Sequence, residues 1–526
     1  MLILFYNLSY SQNIPENLNS KVYEFLERLD SKHIIQLETE KKPYNIEDIK
    51  NYLDLASKKN NLLTNIEKER LKFFSEYYEL PKKGFSLKKL EYTDRNFYFF
   101  ITPVFGYDSK LTNGRYSFGR VGGVRFLTNF NQKFSLYAHL QDRGDFKGYS
   151  DISRYVTPLR KYEFQIQKNG FEYSDVISGI KYDEDWVSIT LAKDYLKLGN
   201  GEVGQLILSD NVNAFPFFQI ELKPTNWFRF KYLFASLNSK VIDSNYYYNS
   251  YPGSAINERR YDFINKYLVL NLFTFSPLRY IDFSLGNSMV YSGNLRMETF
   301  LPYSFFKYLD RDVGKGQIKD GNGQMFFDLS IRYPKNFKFY GTWFIDVISI
   351  RKTLQGNYVE NWFAYTIGSK IYDPIIKNLD FTIEYTKIGP WVYEHKDITT
   401  TYKHLNYSIG HWLEQNGDVL NVRLRYNILH NLQLKTLMQL IRKGTEEDIY
   451  YAYEGRDIKR VNFLNPPVRK DKHVRIELEY EPIYSLIIRS SFEFVNIKDD
   501  NFNRTNLIKQ GSYKIFSIGF EYGYPY

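Results

Sequence analysis

Val474-Arg475-Ile476-Glu477-Leu478-Glu479-Tyr480-Glu481 alternates without a break between large apolar and charged side chains. As a β-strand it would set four apolar groups on one face and four charges on the other. The same period of two recurs in Leu420, Val422, Leu424 and Tyr426 against Asn421, Arg423 and Arg425. It appears again in Phe337, Phe339, Trp343, Ile345 and Val347 against Lys338, Thr342 and Asp346. Soluble sandwiches also alternate, but their strands are nearer about five or six residues. These runs reach about ten or more, the length that a tilted strand needs to cross a bilayer. One face suits lipid and the other water.

Working outward, the period of two begins near Phe97 and continues to the C-terminus. Short turns are expected near Asn131-Gln132, Asp183-Glu184, Pro224-Thr225, Phe275 to Pro277, Pro334 to Asn336, Pro374 to Lys377, Leu429 to Asn431 and Pro482 to Tyr484. Long connections at 143–172, 196–215, 239–265, 292–322, 444–471 and 497–511 alternate with them. Short periplasmic turns and long outer loops alternate in outer-membrane barrels, and single-chain bacterial barrels close with an even number of strands. A raw count gives about 19, and assigning 402–410 to an outer loop brings it to about 18. Both chain ends then fall in the periplasm. The last strand, with Phe516, Ile518, Phe520, Tyr522, Tyr524 and Tyr526 on one face and Ser517-x-Gly519-x-x-Tyr522-x-Tyr524 within it, is similar to the signal read by the barrel-assembly machinery, an expected partner.

Before Phe97 the period is helical. Leu18, Val22, Phe25, Leu26 and Leu29 share one face, Asn45 is a candidate N-cap for a helix carrying Ile46, Ile49, Leu53 and Ala56, and Thr64-Asn65-Ile66-Glu67 is a capping box. The domains expected are therefore a residual signal peptide over 1–11, a periplasmic helical bundle over 12–85 and an outer-membrane barrel over 86–526. Leu2 to Phe5 supply a short apolar core for the signal and Ser9-Tyr10-Ser11 a cleavage-like site, although the basic n-region is missing.

Composition fits this all-β transmembrane barrel with a small α-helical domain. The 526 residues include 48 Tyr and 42 Phe, yet 25% are charged, and mean hydropathy is −0.46. A barrel needs rings at its interfaces while its lumen and loops stay polar. No stretch is apolar enough for a transmembrane helix. Zero cysteines exclude disulfides, thiolate metal sites and cysteine nucleophiles. The net charge of +10 suits an anionic partner or a lysine-rich solvated surface.

Catalytic constellations are lacking in the sequence. There is no Gly-x-Ser-x-Gly, seven histidines are scattered, and Glu446-Glu447 and Asp499-Asp500 read as solvated loop charge. His404 and His411 lie seven apart in a non-helical stretch, a poor spacing for a metal. Gly199-Asn200-Gly201-Glu202-Val203-Gly204 lacks the Lys-Ser/Thr that a phosphate loop requires. No catalytic residue, metal or cofactor is expected, nor is a nucleic-acid partner.

That glycine-rich segment nevertheless carries a resemblance. Leu191-Ala192-Lys193-Asp194, Gly199, Gly201, Gly204, Leu206, Leu208-Ser209, Asn211, Ala214 and Pro216-Phe217 resemble a signature of the Wzi-type capsule assembly family. Tyr402 to His411, including His404 and Gly410, and on through Gly417-Asp418, resembles its other recurrent segment, and Val22 to Leu29 and Glu67 to Leu71 resemble its opening helices. The resemblance implies an 18-stranded barrel with a periplasmic helical bundle, acting as a surface lectin in attachment of capsular or exopolysaccharide; a monomer is expected. It is not expected to be an enzyme; the alternative is an outer-membrane porin. Two outer clusters have side chains that fit an acidic polysaccharide: Tyr246, Tyr247, Tyr248 and Tyr251 with Arg259 and Arg260, and Tyr450, Tyr451 and Tyr453 with Arg456, Lys459 and Arg460. Aromatic faces stack on sugars and cations pair with uronates. The same residues would equally serve as an interfacial girdle contacting outer-membrane lipid and lipopolysaccharide phosphate.

Overall fold

The computed structural model describes residues 15–37, 42–79, 84–86, 90–94, 96–131, 133–146, 165–167, 170–249, 259–309, 321–348, 354, 361–445, 449, 462–500 and 510–525. The expected signal at 1–11 lies outside them. Three helices come first: α1 (Val22–Ser31), α2 (Ile46–Ser57) and α3 (Asn65–Tyr78). The capping box of α3 forms as the sequence implies. Thr64 Oγ1 accepts from Glu67 N at 3.2 Å, and Thr64 N donates to Glu67 Oε2 at 2.8 Å.

Eighteen long strands follow. They are β1 (Phe97–Thr112), β2 (Arg115–Phe130), β3 (Phe134–Phe146), β4 (Gly170–Asp183), β5 (Val187–Asp194), β6 (Phe215–Thr225), β7 (Phe228–Asn249), β8 (Arg259–Leu278) and β9 (Ile281–Ser292). The second half comprises β10 (Asn322–Ile331), β11 (Phe337–Val347), β12 (Trp362–Tyr372), β13 (Leu379–Ile388), β14 (Gly417–Leu429), β15 (Leu432–Lys443), β16 (Arg469–Ile483), β17 (Leu486–Asp499) and β18 (Gly511–Tyr522). Each pairs antiparallel with its neighbour, and β18 closes on β1 from Ile515↔Thr112 to Tyr522↔Phe105. The sheet therefore has no free edge in the wall, which a bilayer-spanning sheet requires.

The alternation decides which face is which. Val474, Ile476, Leu478 and Tyr480 are exposed on the outer face, whereas Glu477, Glu479 and Glu481 are buried in the lumen. Trp186, Trp227, Phe130, Phe134 and Tyr333 stand exposed near the short-turn rim, as an interfacial girdle does. The short turns lie near their expected places, Gln132 being outside the described residues; those anticipated at Pro224-Thr225, Phe275 to Pro277 and Pro482 to Tyr484 fall later, because β6 runs to Thr225, paired with Phe228, β8 to Leu278, paired with Ile281, and β16 to Ile483, paired with Leu486.

Residues 402–410 do not form a wall strand, in keeping with the count of 18; β13 pairs directly with β14. They make only the two-residue hairpin Lys403–His404/Tyr407–Ser408. Two expectations are corrected. The connections at 196–215 and 389–416 are not outer loops in water, since Leu206, Ile207, Leu208, Tyr402 and Ile409 are fully buried. Nor does the apolar face of the last strand extend to Tyr524. Positive φ at Gly523 and Tyr524 turns the chain inward, and the buried Tyr524 hydroxyl donates to Glu481 Oε1 at 2.8 Å. Tyr526 lies outside the described residues.

Candidate functional site

The helices close the short-turn mouth. The apolar face of α1 packs Val22, Phe25, Leu26 and Leu29 with Ile49, Leu53, Leu71 and Phe74 of α2 and α3. Its other face is charged and turned toward the wall, with Glu27, Arg28 and Asp30 buried and Glu24 half-buried. Glu27 meets Lys338 and Lys370, each at 2.6 Å. Asp30 meets Arg332 at 3.1 Å and Glu24 meets Arg425 at 2.7 Å. Arg28 pairs with Glu67 at 2.7 Å and with Asp380 and Asp373. Burial works against the Glu27 carboxylate, but Lys338 and Lys370 outweigh it and hold its pKa well below the usual range.

From the other end, residues 195–214 and 389–416 fold into the lumen and pack on one another. Leu198, Val203, Leu206 and Ile207 of the first lie among Trp391, Tyr393, Tyr402, Ile409 and Trp412 of the second, against Leu268, Leu270, Phe326 and Phe344 of the wall. Backbone groups are satisfied across the contact. Trp412 Nε1 donates to Val203 O at 3.0 Å, Tyr393 Oη to Leu206 O at 2.9 Å, Tyr402 Oη to Ile207 O at 2.8 Å and Ser209 N to Ile409 O at 2.8 Å. The fit depends on glycine. A Cβ on Gly204 would meet the His411 ring at 2.5 Å, and one on Gly410 would meet the Tyr393 ring at 2.6 Å. Deeper in the lumen, Glu202 reaches Lys370 at 2.5 Å, and Asn200 N donates to Asp328 Oδ1 at 3.2 Å.

His404 is neutral by construction. Its Nδ1 accepts from Asn238 N at 3.1 Å, and burial, with Lys266 and Lys193 nearby, pushes its pKa down to about 3. His411 Nδ1 accepts from Leu413 N at 3.1 Å. Both histidines therefore serve as packing groups. A cavity remains beside the plug, between the N-terminal segment and β2 to β7, lined by Arg125, Tyr137, Lys181, Asp194, Tyr195 and Glu221 together with apolar residues such as Leu127 and Phe217.

Above the rim stands a hairpin. β7 pairs with β6 only as far as Ala235, and β8 pairs with β9 only from Lys266; beyond these points, among the described residues, each strand has only the other as a strand partner, with Asn238 and Asn265 also bonding to Leu405 and Gly293 at the base. Tyr247 faces Tyr261, Tyr248 faces Arg260 and Asn249 faces Arg259. The Arg259 guanidinium lies over the Tyr247 ring, 5.9 Å from its centroid. Tyr246 and Tyr248 are each 63% exposed.

Residues 118–491 match the family model of the capsule assembly protein Wzi, more than half of the chain. The chain belongs to the Wzi capsule assembly family. Among solved structures, this Wzi-family barrel is similar to Wzi of Escherichia coli, described as an outer membrane protein involved in group 1 capsule assembly and a carbohydrate-binding β-barrel. That match has a TM-score of 0.58 at 13% identity and covers 97% of this chain and 99% of that one. Pseudomonas aeruginosa OpdK (TM-score 0.43, 10% identity, 80% of this chain and 98% of that) and OccD3 (0.42, 9%, 80% and 90%) are more distant. Among curated proteins none matches in sequence.

In this Wzi-family chain the structure gathers Gly199, Gly201, Gly204, Ser209, Gly410 and His411 into the lumenal plug, with His404 beside Phe215 at its edge. Asp194 is nearby at the cavity wall, accepting from Tyr137 Oη at 3.0 Å. Pro216 is apart, exposed on the outer face of β6. Of the two aromatic and cationic clusters, Tyr246, Tyr247, Tyr248, Arg259 and Arg260 come together on the hairpin rather than in a loop, because repeated Tyr favours strand. Tyr251, Tyr450, Tyr451, Tyr453, Arg456, Lys459 and Arg460 lie outside the described residues. The plug partners Trp391, Tyr393 and Trp412 were missed by the sequence reading. Their signal was an apolar density too high for a solvated connection.

Proposed function

We propose that this Wzi-family protein attaches an acidic capsular or exopolysaccharide to the cell surface by binding, without a catalytic step. It sits in the outer membrane as a monomer with its short-turn end and helices in the periplasm, delivered there by the barrel-assembly machinery and bordered by lipopolysaccharide. The observation that carries this reading is the free-standing hairpin, which holds Tyr246, Tyr247, Tyr248, Arg259 and Arg260 exposed beyond the wall. Tyrosine rings offer a face to pyranose C–H groups, and guanidinium pairs with carboxylate in two-pronged geometry. Each exposed ion pair contributes on the order of 0 to 1 kcal/mol, so a single repeat unit binds weakly. A polymer engages many copies, and retention rises roughly 100-fold or more by avidity.

The test is deletion of the gene followed by measurement of polysaccharide on cells and in medium. Made-but-shed polymer supports attachment, and polymer still bound to deletion cells rejects it. Restoring the gene with Arg259, Arg260, Arg456 and Arg460 changed to Gln tests the clusters, since full retention would leave attachment standing and remove these residues from it. A porin is the second reading, and the apolar plug across the lumen argues against it.

A further inference from the structure

The connection from β9 to β10 begins at the outer end of the barrel, where the sequence reading placed a long outer loop. Its described residues, 293–309, bend down over the outside of the wall. Phe306 is fully buried against Tyr232, Val269, Met289 and Tyr291, all of which point away from the lumen. Phe300 stacks on the outward Phe234 at 4.9 Å between centroids. Tyr232 Oη donates to Thr299 O at 2.8 Å.

Beneath this strap lie two asparagines on the outward face of adjacent strands, Asn271 and Asn287, which pair in register. An amide facing hydrocarbon without partners costs several kcal/mol. Here none is left to lipid. Asn287 Nδ2 donates to Asn271 Oδ1 at 2.7 Å, Asn271 Nδ2 donates to Pro302 O at 3.1 Å and Ser304 O at 2.8 Å, and Phe306 N donates to Asn287 Oδ1 at 2.6 Å. Asn287 lies five residues before Ser292, the end of β9, which at about 3.3 Å per residue and a tilt of about 40° is roughly 13 Å down the wall. Gly323 lets the strap lie flush, since a Cβ there would meet Lys307 Cα at 2.8 Å.

The outer surface of the strap is mainly apolar: Leu295, Met297, Leu301, Tyr303, Phe305 and Tyr308 are all exposed, Met297 to 79%, whereas the polar Asn294, exposed, and Arg296 and Glu298, half-buried, are confined to its first residues. It continues the belt formed by exposed Leu285 of β9 and Trp343 of β11. We propose that residues 293–309 are a lipid-binding strap embedded among the acyl chains of the outer leaflet. The asparagine amides, satisfied by the strap and by each other, together with continuity with the lipid-facing belt, assign acyl chains as the occupant. The asparagine pair is the clasp that holds the strap to the wall.

The absence of cysteine makes the test direct. Met297→Cys and Tyr303→Cys, each carrying an environment-sensitive fluorophore, are reconstituted in phosphatidylcholine vesicles, with Tyr246→Cys on the hairpin as the water-exposed control. Expected is loss of most emission at 297 and 303 with lipids brominated on the acyl chains and little loss with iodide, the reverse at 246. Quenching of 297 and 303 by iodide but not by brominated lipid would overturn the proposal. So would protection from both quenchers, accompanied by disulfide-linked dimers of the unlabelled Met297→Cys variant, which would assign the face to a second copy of the chain. Neither outcome bears on polysaccharide attachment.

Discussion

Glu27 of α1 and Glu202 of the inward-folded segment, brought from opposite ends of the barrel, share one ammonium: Lys370 Nζ lies 2.6 Å from Glu27 Oε2 and 2.5 Å from Glu202 Oε1. The short-turn closure and the outer plug are thus joined through a single side chain of β12. Removing one member of a buried ion pair costs about 3–5 kcal/mol, because the partner stays desolvated and charged. Lys370→Met should therefore lower the temperature at which the heat-modifiable band converts on gels. Adding Glu202→Gln, which neutralises the carboxylate left facing the gap while Glu27 keeps Lys338, should recover part of the loss. A double variant no more stable than Lys370→Met would show that the two charges are not coupled.

Because the apolar plug fills the lumen independently of the helices, the intact protein should give almost no steady conductance in planar bilayers. Removing 14–80 should leave it largely closed, and removing 199–208 should open it. Large, stable openings of the intact chain would reject the closed lumen.

Gly204→Val is expected to push His411 and Trp412 away from their seats, an overpacking cost of about 1–3 kcal/mol. The expected outcome is protease cleavage within 195–214 in variant vesicles under conditions that leave the parent uncut. Equal resistance would mean that the plug repacks around the added methyls.

His404 sets a pH dependence. Its pKa is about 3 in the fold and about 6.5 when unfolded. Between these values the unfolded chain binds the extra proton, so stability is complete above about pH 6.5 and falls as the pH drops. At pH 5 the loss is about 2 kcal/mol. Thermal unfolding followed from pH 8 to 5 should show this decline, and His404→Gln should flatten it.

On the hairpin, Tyr247→Ala removes the ring beneath Arg259 and should weaken polymer retention about as much as Arg259→Gln, with the double variant adding little, since the two act as one contact. Flow measurement of labelled acidic polysaccharide on cells separates this from independent, additive losses.

Wall, helices and family were legible in the sequence because each rests on local periodicity or short ordered motifs. Val474 to Glu481 must show one face to lipid whatever surrounds it, and Thr64 to Glu67 caps a helix with four residues. Sequence alone also brought the strand count to an even number, since turn lengths alternate. The direction in which a connection folds is another matter. Leu206-Ile207-Leu208, Trp391 and Trp412 are apolar in either arrangement, and only the closed lumen, supplying Leu268 and Phe344 as partners, turns them inward. Leu295, Met297 and Tyr303 are just as apolar, yet the outward pair Asn271 and Asn287 draws them over the wall instead. Composition states that a segment must be buried. Which surface buries it depends on contacts between residues distant in the chain, and those exist only once the barrel has closed.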